Sequence, residues 1–271
     1  MSHAIIIPIY CENRNTIILC NELQNFGADH IVVVNDGLNP KSEYFNELTS
    51  IGCHLVHLKN NNGKGASLKA GIKYAHDNLY NITGYITCDA DGQHTANDVM
   101  KISRMLDLRN GSLILGKRDY KKSKMPINIR IGNRLSSAYF KVITGKSCKD
   151  TQTGLRGIPA FLYDTVMKTK GSRFDFEMNF LTKCADMRVP FYFVNIIADC
   201  SNCSSNFRLI KDTYLIYRTP LRFATASISC TIIDLVLFTI FAYILPSHMF
   251  FNIMLATLMA RVVSGLSLIH I

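Results

Sequence analysis

Apolar and polar positions along the first two hundred residues switch between two periods. Residues 4–9 form a short apolar run that includes Pro8 and gives way to Tyr10-Cys11-Glu12-Asn13, which predicts a strand and a polar loop. Ile18, Leu19, Leu23 and Phe26 then fall at helical spacing, and Gly27 stops that helix. Residues 30–34 are a β-branched strand punctuated by Asn35-Asp36-Gly37, and 55–58 a third strand running into the polar loop 59–65. A helix over 66–78 precedes the apolar run Tyr85-Ile86-Thr87-Cys88, which delivers Asp89-Ala90-Asp91-Gly92-Gln93-His94. Further on, 112–116 predicts a strand leading into Lys117-Arg118, and 127–143 an amphipathic helix. A polar turn follows at 150–156, then a helix over 173–188 bearing Glu177 and a strand over 191–197. Strand and helix patterns alternating at this spacing predict βαβ units and a mainly parallel sheet with flanking helices, an α/β fold.

The last fifty residues change character. Residues 223–245 carry one charge, Asp234, and a helix of that length at ~1.5 Å per residue would be about 34 Å long, enough to cross a hydrocarbon core. A second apolar segment, 249–269, contains Arg261, and Pro246-Ser247-His248 between the two makes a tight turn. The expectation is a domain over 1–220 followed by a transmembrane helical hairpin over 221–271, with Asp234 and Arg261 paired inside the bilayer. Arg208, Lys211, Arg218 and Arg222 precede the first span, which puts that end and the larger domain on the cytoplasmic face of the cell membrane.

Charge sharpens this division. The net +10 resides on the first 222 residues, since Arg261 and Asp234 cancel beyond them. A basic body joined to a nearly uncharged tail, in a chain 48% apolar with mean hydropathy +0.12, suits an anionic membrane surface or a phosphorylated substrate. No basic run interleaved with stacking aromatics appears, so nucleic acid is not expected as a partner. Arg130, Arg134 and Lys141 on the 127–143 helix suit either a solvated outer face or a membrane surface. Pro8 and Glu12 interrupt an apolar start too short for a secretory signal. The nine cysteines are scattered and odd in number, as expected of free thiols in a reducing compartment, and Cys200-Ser-Asn-Cys203 is the one C-x-x-C.

The candidate chemistry gathers at one predicted edge. In a parallel α/β sheet, ligands sit beyond the carboxyl ends of the strands, and Glu12, Asp36, Lys64, Asp89 and Asp91 all fall there. If the strand continues to its aspartates, Asp89 and Asp91 share one face, and two hard oxygen donors there can hold a divalent cation with room left for phosphate oxygens. An acidic turn after a strand is the plainer alternative. Asn62-Gly63-Lys64-Gly65-Ala66-Ser67 has neither P-loop spacing nor the third glycine of a dinucleotide fingerprint, and reads as a nucleotide-side loop with one lysine.

Taken together and in order, Ile7-Pro8-Ile9-Tyr10-Cys11-Glu12-Asn13, Val34-Asn35-Asp36-Gly37, Asn62-Gly63-Lys64-Gly65-Ala66, Asp89-Ala90-Asp91-Gly92-Gln93-His94, Gly116-Lys117-Arg118 and Asp150-Thr151-Gln152-Thr153-Gly154-Leu155-Arg156 resemble the family 2 glycosyltransferases. The resemblance is to their polyprenyl-phosphate branch, which includes dolichol-phosphate mannosyltransferase and bactoprenol glucosyltransferases, and it covers about residues 4–210. It implies a GT-A fold and inverting transfer of a hexose from a nucleotide-diphosphate sugar to a polyprenyl phosphate lipid. It also implies that Pro8, Tyr10, Glu12 and Asp36 cradle the base and ribose, with Lys64 and Asp89 on the nucleotide-sugar side. Asp89, Asp91 and Gln93 would bind Mg²⁺ or Mn²⁺, and Arg118 the acceptor phosphate, helped by Arg130, Arg134 and Arg208. Asp150 would orient the acceptor or stabilise charge on the sugar, or would be a turn residue only. Asn35 stands where the family usually has aspartate, and Ser205-Asn206-Phe207-Arg208 matches its Ser-Lys segment only in part. The tail from Leu221 resembles the start of a GtrA-like membrane domain, which normally has four spans, so a truncated one is expected. A homo-oligomer is left open. Two rivals remain: a sugar-nucleotide pyrophosphorylase, although its glycine-rich opening loop is missing, and a catalytically inactive membrane subunit that aids translocation of a lipid-linked sugar.

Overall fold

The computed structural model describes residues 2–119 and 127–197, and in the C-terminal part 228, 231–233, 235–240, 243, 251, 253–255, 257 and 258. The chain divides into two units, Met1–Phe207 and Arg208–Ile271.

In the first unit, β1 (Ser2–Ile9), α1 (Arg14–Asn25), β2 (His30–Asp36), α2 (Glu43–Ser50), β3 (His54–Leu58), α3 (Lys64–Asn78), β4 (Ile82–Thr87) and α4 (Ala96–Leu108) alternate without exception. Then come β5 (Leu113–Arg118), α5 (Ile127–Thr144), β6 (Arg156–Pro159), a short 3-10 turn, α6 (Tyr163–Lys168), α7 (Phe174–Asp186) and β7 (Phe191–Ile196). The seven strands form one sheet in the order β3-β2-β1-β4-β6-β5-β7. All run parallel except β6, which pairs antiparallel with β4 on one side and β5 on the other.

Both faces of the sheet are covered, which is why β1 and β2 read as continuous apolar runs instead of alternating ones. Ile5, Ile7 and Ile9 of β1 join Ile31 and Val33 of β2 in a core completed by Leu19 and Leu23 of α1, Phe45 and Leu48 of α2, and Val99 and Ile102 of α4. On the opposite face α3 lies so close to the sheet that a Cβ at Gly71 would stand 2.5 Å from Ile6 Cγ2 and 2.7 Å from Val34 Cγ2.

Several elements depart from the sequence expectation. The strand before the aspartates ends at Thr87, so Asp89 and Asp91 are loop residues and not alternate positions of one strand face. Gly92, at φ +85°, turns the chain there. Lys64 is in the first turn of α3 and not in the loop before it. Helices α2, α4 and α6 and strand β6 are additional. Helices α2 and α4 are each capped by a hydroxyl: Ser42 Oγ accepts from Tyr44 N at 3.3 Å, and Thr95 Oγ1 from Asp98 N at 3.2 Å.

Among the described residues no helix is long and apolar enough to cross a membrane. The expected spans, 223–245 and 249–269, fall largely outside the described residues, as do Asp234, Arg261 and the GtrA-like resemblance they belong to. Those that are described in these segments are helical, and Leu235, Val236, Phe251 and Met254 among them are exposed. Cys200 and Cys203 also lie outside, while Cys20, Cys53, Cys88, Cys148 and Cys184 are buried free thiols and Cys11 an exposed one.

Candidate active site

The site forms where four parallel strands end on the same edge. Strand β1 opens into the Tyr10–Asn13 turn, β2 ends at Asp36, β4 leads to Asp89 and β5 ends at Arg118. Strand β6 brings in a distant segment. Its antiparallel register pairs Thr87 with Arg156 and Tyr85 with Ile158, so continuing it two residues past Thr87 sets Gly154 opposite Asp89. The contact is tight: a Cβ at Gly154 would lie 2.0 Å from Asp89 Oδ2. Thr87 Oγ1 donates to Gly154 O at 2.8 Å and holds the two segments together.

Asp89 is the hub. Lys64 Nζ lies 2.7 Å from Asp89 Oδ1 and 3.2 Å from Glu177 Oε1 of α7, so one ammonium bridges two carboxylates. His94 Nε2 is 3.7 Å from Asp89 Oδ2, beyond hydrogen-bond reach, and neither nitrogen of this buried ring has a hydrogen-bond partner. Burial alone would raise the Asp89 pKa, but the Lys64 charge and His94 outweigh it and hold the carboxyl well below the usual range. Burial likewise would lower the Lys64 pKa, yet Asp89 and Glu177 drive it up, so the lysine stays charged. Asp91 differs: burial and the Asp89 charge both push its pKa up, against the backbone amide of Gln93. That amide reaches Asp91 Oδ1 at 3.1 Å, and the Gln93 side-chain amide also donates to Asp91. The loop is tied to α1, whose Thr16 Oγ1 donates to Ala90 O at 3.3 Å, as Asn13 Nδ2 does at 3.4 Å.

Asp36 is buried and uses both oxygens on the loop before α3, accepting from Asn62 N at 2.8 Å and Gly63 N at 2.9 Å. It therefore fixes Lys64 from behind, and a ribose contact would have to share those oxygens. Asn35 accepts from Leu38 N at 2.7 Å and contacts His57 Nδ1 at 2.9 Å, which makes it a turn-forming residue. Pro8 is half-buried in β1, whereas Tyr10 and Glu12 stand exposed on the rim.

Arg118 and Asp150 form a buried, two-point ion pair. Nε donates to Asp150 Oδ2 at 2.7 Å and Nη2 to Oδ1 at 2.8 Å, and the Arg118 amide reaches Oδ2 at 3.3 Å. Asp150 is thus more than a turn residue: it sets the plane of the guanidinium. An acceptor phosphate at Arg118 would exchange contacts there. Asp150→Ala would remove the carboxylate that accepts two hydrogen bonds from a buried guanidinium, and the expected cost is about 3–5 kcal/mol, read as a lowered Tm and denaturant midpoint. A Tm within about 2 °C of wild type would show that the pair is solvated instead.

Arg130 and Arg134 of α5 are exposed, and Arg208 lies outside the described residues. Two residues named in the sequence without a role at the site contribute to it. Glu177 is 113 positions from Lys64, on a helix whose pattern signals packing only. Arg156 is buried and donates to Thr153 O at 2.9 Å, Glu177 O at 2.9 Å and Thr151 O at 3.2 Å, pinning the 151–154 segment. Its place in the 150–156 motif is the one available signal.

The described residues contain no group of three or more His, Cys, Asp or Glu able to hold a metal. A cation would rest on the carboxylates of Asp89 and Asp91 and the amide oxygen of Gln93. These hard donors suit Mg²⁺ or Mn²⁺ and leave coordination positions for phosphate oxygens. The Asp89 charge helps raise the Asp91 pKa, so the two carboxylates stand close enough to repel, as a pair sharing one cation must, and the Lys64 ammonium on Asp89 would have to share that carboxylate with the ion.

A mostly parallel sheet with one antiparallel strand, acids beyond its central strand and an arginine–aspartate pair beside them make an α/β architecture of the GT-A type. Residues 4–164 match the model of the glycosyl transferase family 2, and the chain belongs to that family and is a glycosyltransferase. An uncharacterized protein of Methanocaldococcus jannaschii is 32% identical over 188 residues, covering 65% of this chain and 73% of that protein. The UDP-N-acetylglucosamine–dolichyl-phosphate N-acetylglucosaminyltransferase of Methanococcus voltae is 29% identical over 172 residues, 56% of this chain and 67% of that enzyme. Glucosyl-3-phosphoglycerate synthase from Mycobacterium tuberculosis, crystallised with Mn²⁺ and UDP-glucose, superposes with a TM-score of 0.59 at 12% identity, covering 82% of this chain and 77% of that one. That likeness establishes the fold. Family membership also sets aside the pyrophosphorylase reading.

Proposed function

We propose that this chain moves a hexose from a nucleotide-diphosphate sugar to a polyprenyl phosphate, with inversion at the anomeric carbon, on the cytoplasmic face of the cell membrane. The observation that carries this reading is the joining, through the 150–156 segment, of an acidic donor-side group to a buried arginine: Gly154 abuts Asp89 and Asp150 grips Arg118. The Methanococcus voltae relative, named for a dolichyl phosphate acceptor, supports the same acceptor class. Exposed apolar residues on the described helical parts of 228–258 support a membrane location.

Bound Mg²⁺ or Mn²⁺, held by Asp89, Asp91 and Gln93, would act as a Lewis acid on the departing diphosphate. The chain's own residues do the rest. Lys64 adds a fixed positive charge beside Asp89, and Glu177 keeps it in place. Tyr10, Glu12 and Asp36 border the nucleotide side, and Arg118, oriented by Asp150, faces the acceptor. A phosphate monoester has a second pKa near ~6, so at neutral pH the acceptor oxygen is already anionic and needs no strong general base. Its attack on the anomeric carbon forms the new C–O bond as the bond to diphosphate breaks, and the nucleotide leaves with the electron pair.

The test is incubation of membranes carrying the chain with a panel of labelled nucleotide sugars and undecaprenyl phosphate, followed by organic extraction. One sugar is expected in the lipid phase, absent with EDTA and restored by Mn²⁺ or Mg²⁺. Label confined to water-soluble products would overturn the lipid acceptor. No turnover of any sugar would favour the inactive-subunit reading.

A further inference from the structure

One polar ring at the rim is buried without a partner. His94 is 5% exposed, and among the described residues neither Nδ1 nor Nε2 finds a hydrogen bond. A buried orphan of this kind is costly, and in a native protein it calls for a use. The residue is held from both sides in sequence: the Gln93 amide donates to Asp91 Oδ1 at 3.1 Å, and Thr95 caps α4. Its Nε2 lies 3.7 Å from Asp89 Oδ2, about 0.7 Å more than an ordinary N–H···O hydrogen bond. The other Asp89 oxygen, Oδ1, holds Lys64 at 2.7 Å. Gly154 packs so tightly on Oδ2, where a Cβ would stand 2.0 Å away, that the carboxylate has little room to move in that direction. A divalent cation on Asp89 would compete with Lys64 and loosen its hold. Carboxylates that ligate metals are themselves hydrogen-bonded by neighbours that fix their orientation.

We propose that His94 is a positioning residue for Asp89: when the site takes up its divalent cation, the Nε2–H of His94 donates to Asp89 Oδ2 and fixes the plane in which that carboxylate meets the ion. The inference rests on the reading that Asp89 helps to hold Mg²⁺ or Mn²⁺. A side-chain adjustment closes the gap with the backbone in place. His94 thereby takes over the hold that Lys64 gives up in part, so Asp89 keeps one orientation before and after loading. A ring that merely fills space would need its volume and not its N–H. The two roles differ in the substitutions they tolerate.

Three variants of the purified full chain separate them. His94→Phe keeps a ring without nitrogens, His94→Gln sets an amide N–H near the place of Nε2, and His94→Asn sets one near Nδ1. Mn²⁺ is titrated into each in the presence of UDP, and again of GDP, with the free ion followed by electron paramagnetic resonance. His94→Phe and His94→Asn are expected to weaken Mn²⁺ uptake about tenfold or more, and His94→Gln to stay within about threefold of wild type. In wild type with isotope-labelled histidine ring nitrogens, Mg²⁺ and the same nucleotides should move the Nε2–H proton of His94 downfield, the signal being assigned by its loss in His94→Gln. Uptake by His94→Phe equal to that of wild type would overturn the proposal. So would His94→Gln as poor as His94→Phe, in favour of ring packing. If His94→Phe fails to fold, His94→Gln against His94→Asn and the wild-type spectrum decide: equal uptake by those two variants, or an Nε2 signal that Mg²⁺ leaves unmoved, counts against the hydrogen bond. A wild type that takes up no Mn²⁺ would refute the metal reading together with this inference, whereas wild-type uptake that ignores position 94 would refute this inference alone.

Discussion

Asp91→Asn is expected to lower sugar transfer by about a thousandfold or more and to leave the fold intact, with a Tm in EDTA at or above that of wild type. The loss follows from the chemistry: a Lewis acid on the leaving group supplies several kcal/mol, and ~4 kcal/mol is about a thousandfold in rate. The stability gain follows from the environment. Burial and the neighbouring Asp89 charge raise the Asp91 pKa, so the folded chain holds that proton more tightly than the unfolded one. For a carboxyl with a raised folded pKa, stability is greatest in acid and falls as pH rises from the unfolded value near ~3.9 through the folded one. Asparagine escapes that fall, so the Tm advantage of the variant should open with rising pH in EDTA and close in acid. Added Mn²⁺ should raise the Tm of wild type and not of the variant. Near-normal turnover by purified Asp91→Asn would remove Asp91 from the metal site, and a Tm advantage independent of pH would remove the electrostatic argument.

The contrast between Asp89 and Asp91 shows how the site is prepared. Asp89 is charged and neutralised in advance by Lys64, which Asp36 and Glu177 hold from two other elements. Asp91 carries the unfavourable part of the arrangement. A site that must take up a cation has reason to keep one carboxylate poorly compensated, and a charge that destabilises the fold is where local consistency is expected to give way to function.

Much of the parallel half of the sheet was legible because its strands are buried on both faces and bounded by polar loops. The runs around Ile5 to Ile9, Ile31 to Val34 and Leu113 to Leu115 could hardly be anything else. Helices α2 and α4 were missed although Ser42 and Thr95 stand at their N-caps, followed by apolar residues at helical spacing. Strand β6 offered far less. Arg156-Gly157-Ile158-Pro159 is four residues long, has one large apolar side chain, and owes its strand character to partners on both sides. The acids of the rim were readable as a set, but their contacts were not: the spacing of Lys64 and Glu177 says nothing about an ammonium shared between α3 and α7. Nor does the 150–156 motif reveal that its aspartate serves Arg118 while its glycine serves Asp89.

That double service makes Gly154→Ala the most informative conservative change in the chain. The added Cβ would lie 2.0 Å from Asp89 Oδ2 and 2.6 Å from its Cγ, far inside van der Waals contact. The backbone at 154 cannot readily yield, because Thr87 Oγ1 holds its carbonyl at 2.8 Å and Gly116 N holds that of Leu155 at 2.9 Å. The carboxylate has to move instead, and moving it breaks the contact with Lys64. Overpacking of this kind costs about 1–3 kcal/mol of stability. The catalytic loss should be larger, since an ångström of misplacement in a positioned group can cost about a hundredfold. Gly132→Ala is the control: it sits in α5, its Cβ would meet nothing nearer than Gln152 at 3.8 Å, and alanine should stabilise the helix by roughly 0.5–1 kcal/mol. We expect Gly154→Ala to fold, to lose about a hundredfold in kcat, and to show a reduced Mn²⁺-induced rise in Tm, while Gly132→Ala keeps both. Wild-type kcat in Gly154→Ala would mean that Asp89 finds its working position without the 150–156 segment, and the link between the donor and acceptor sides would then have to be sought elsewhere.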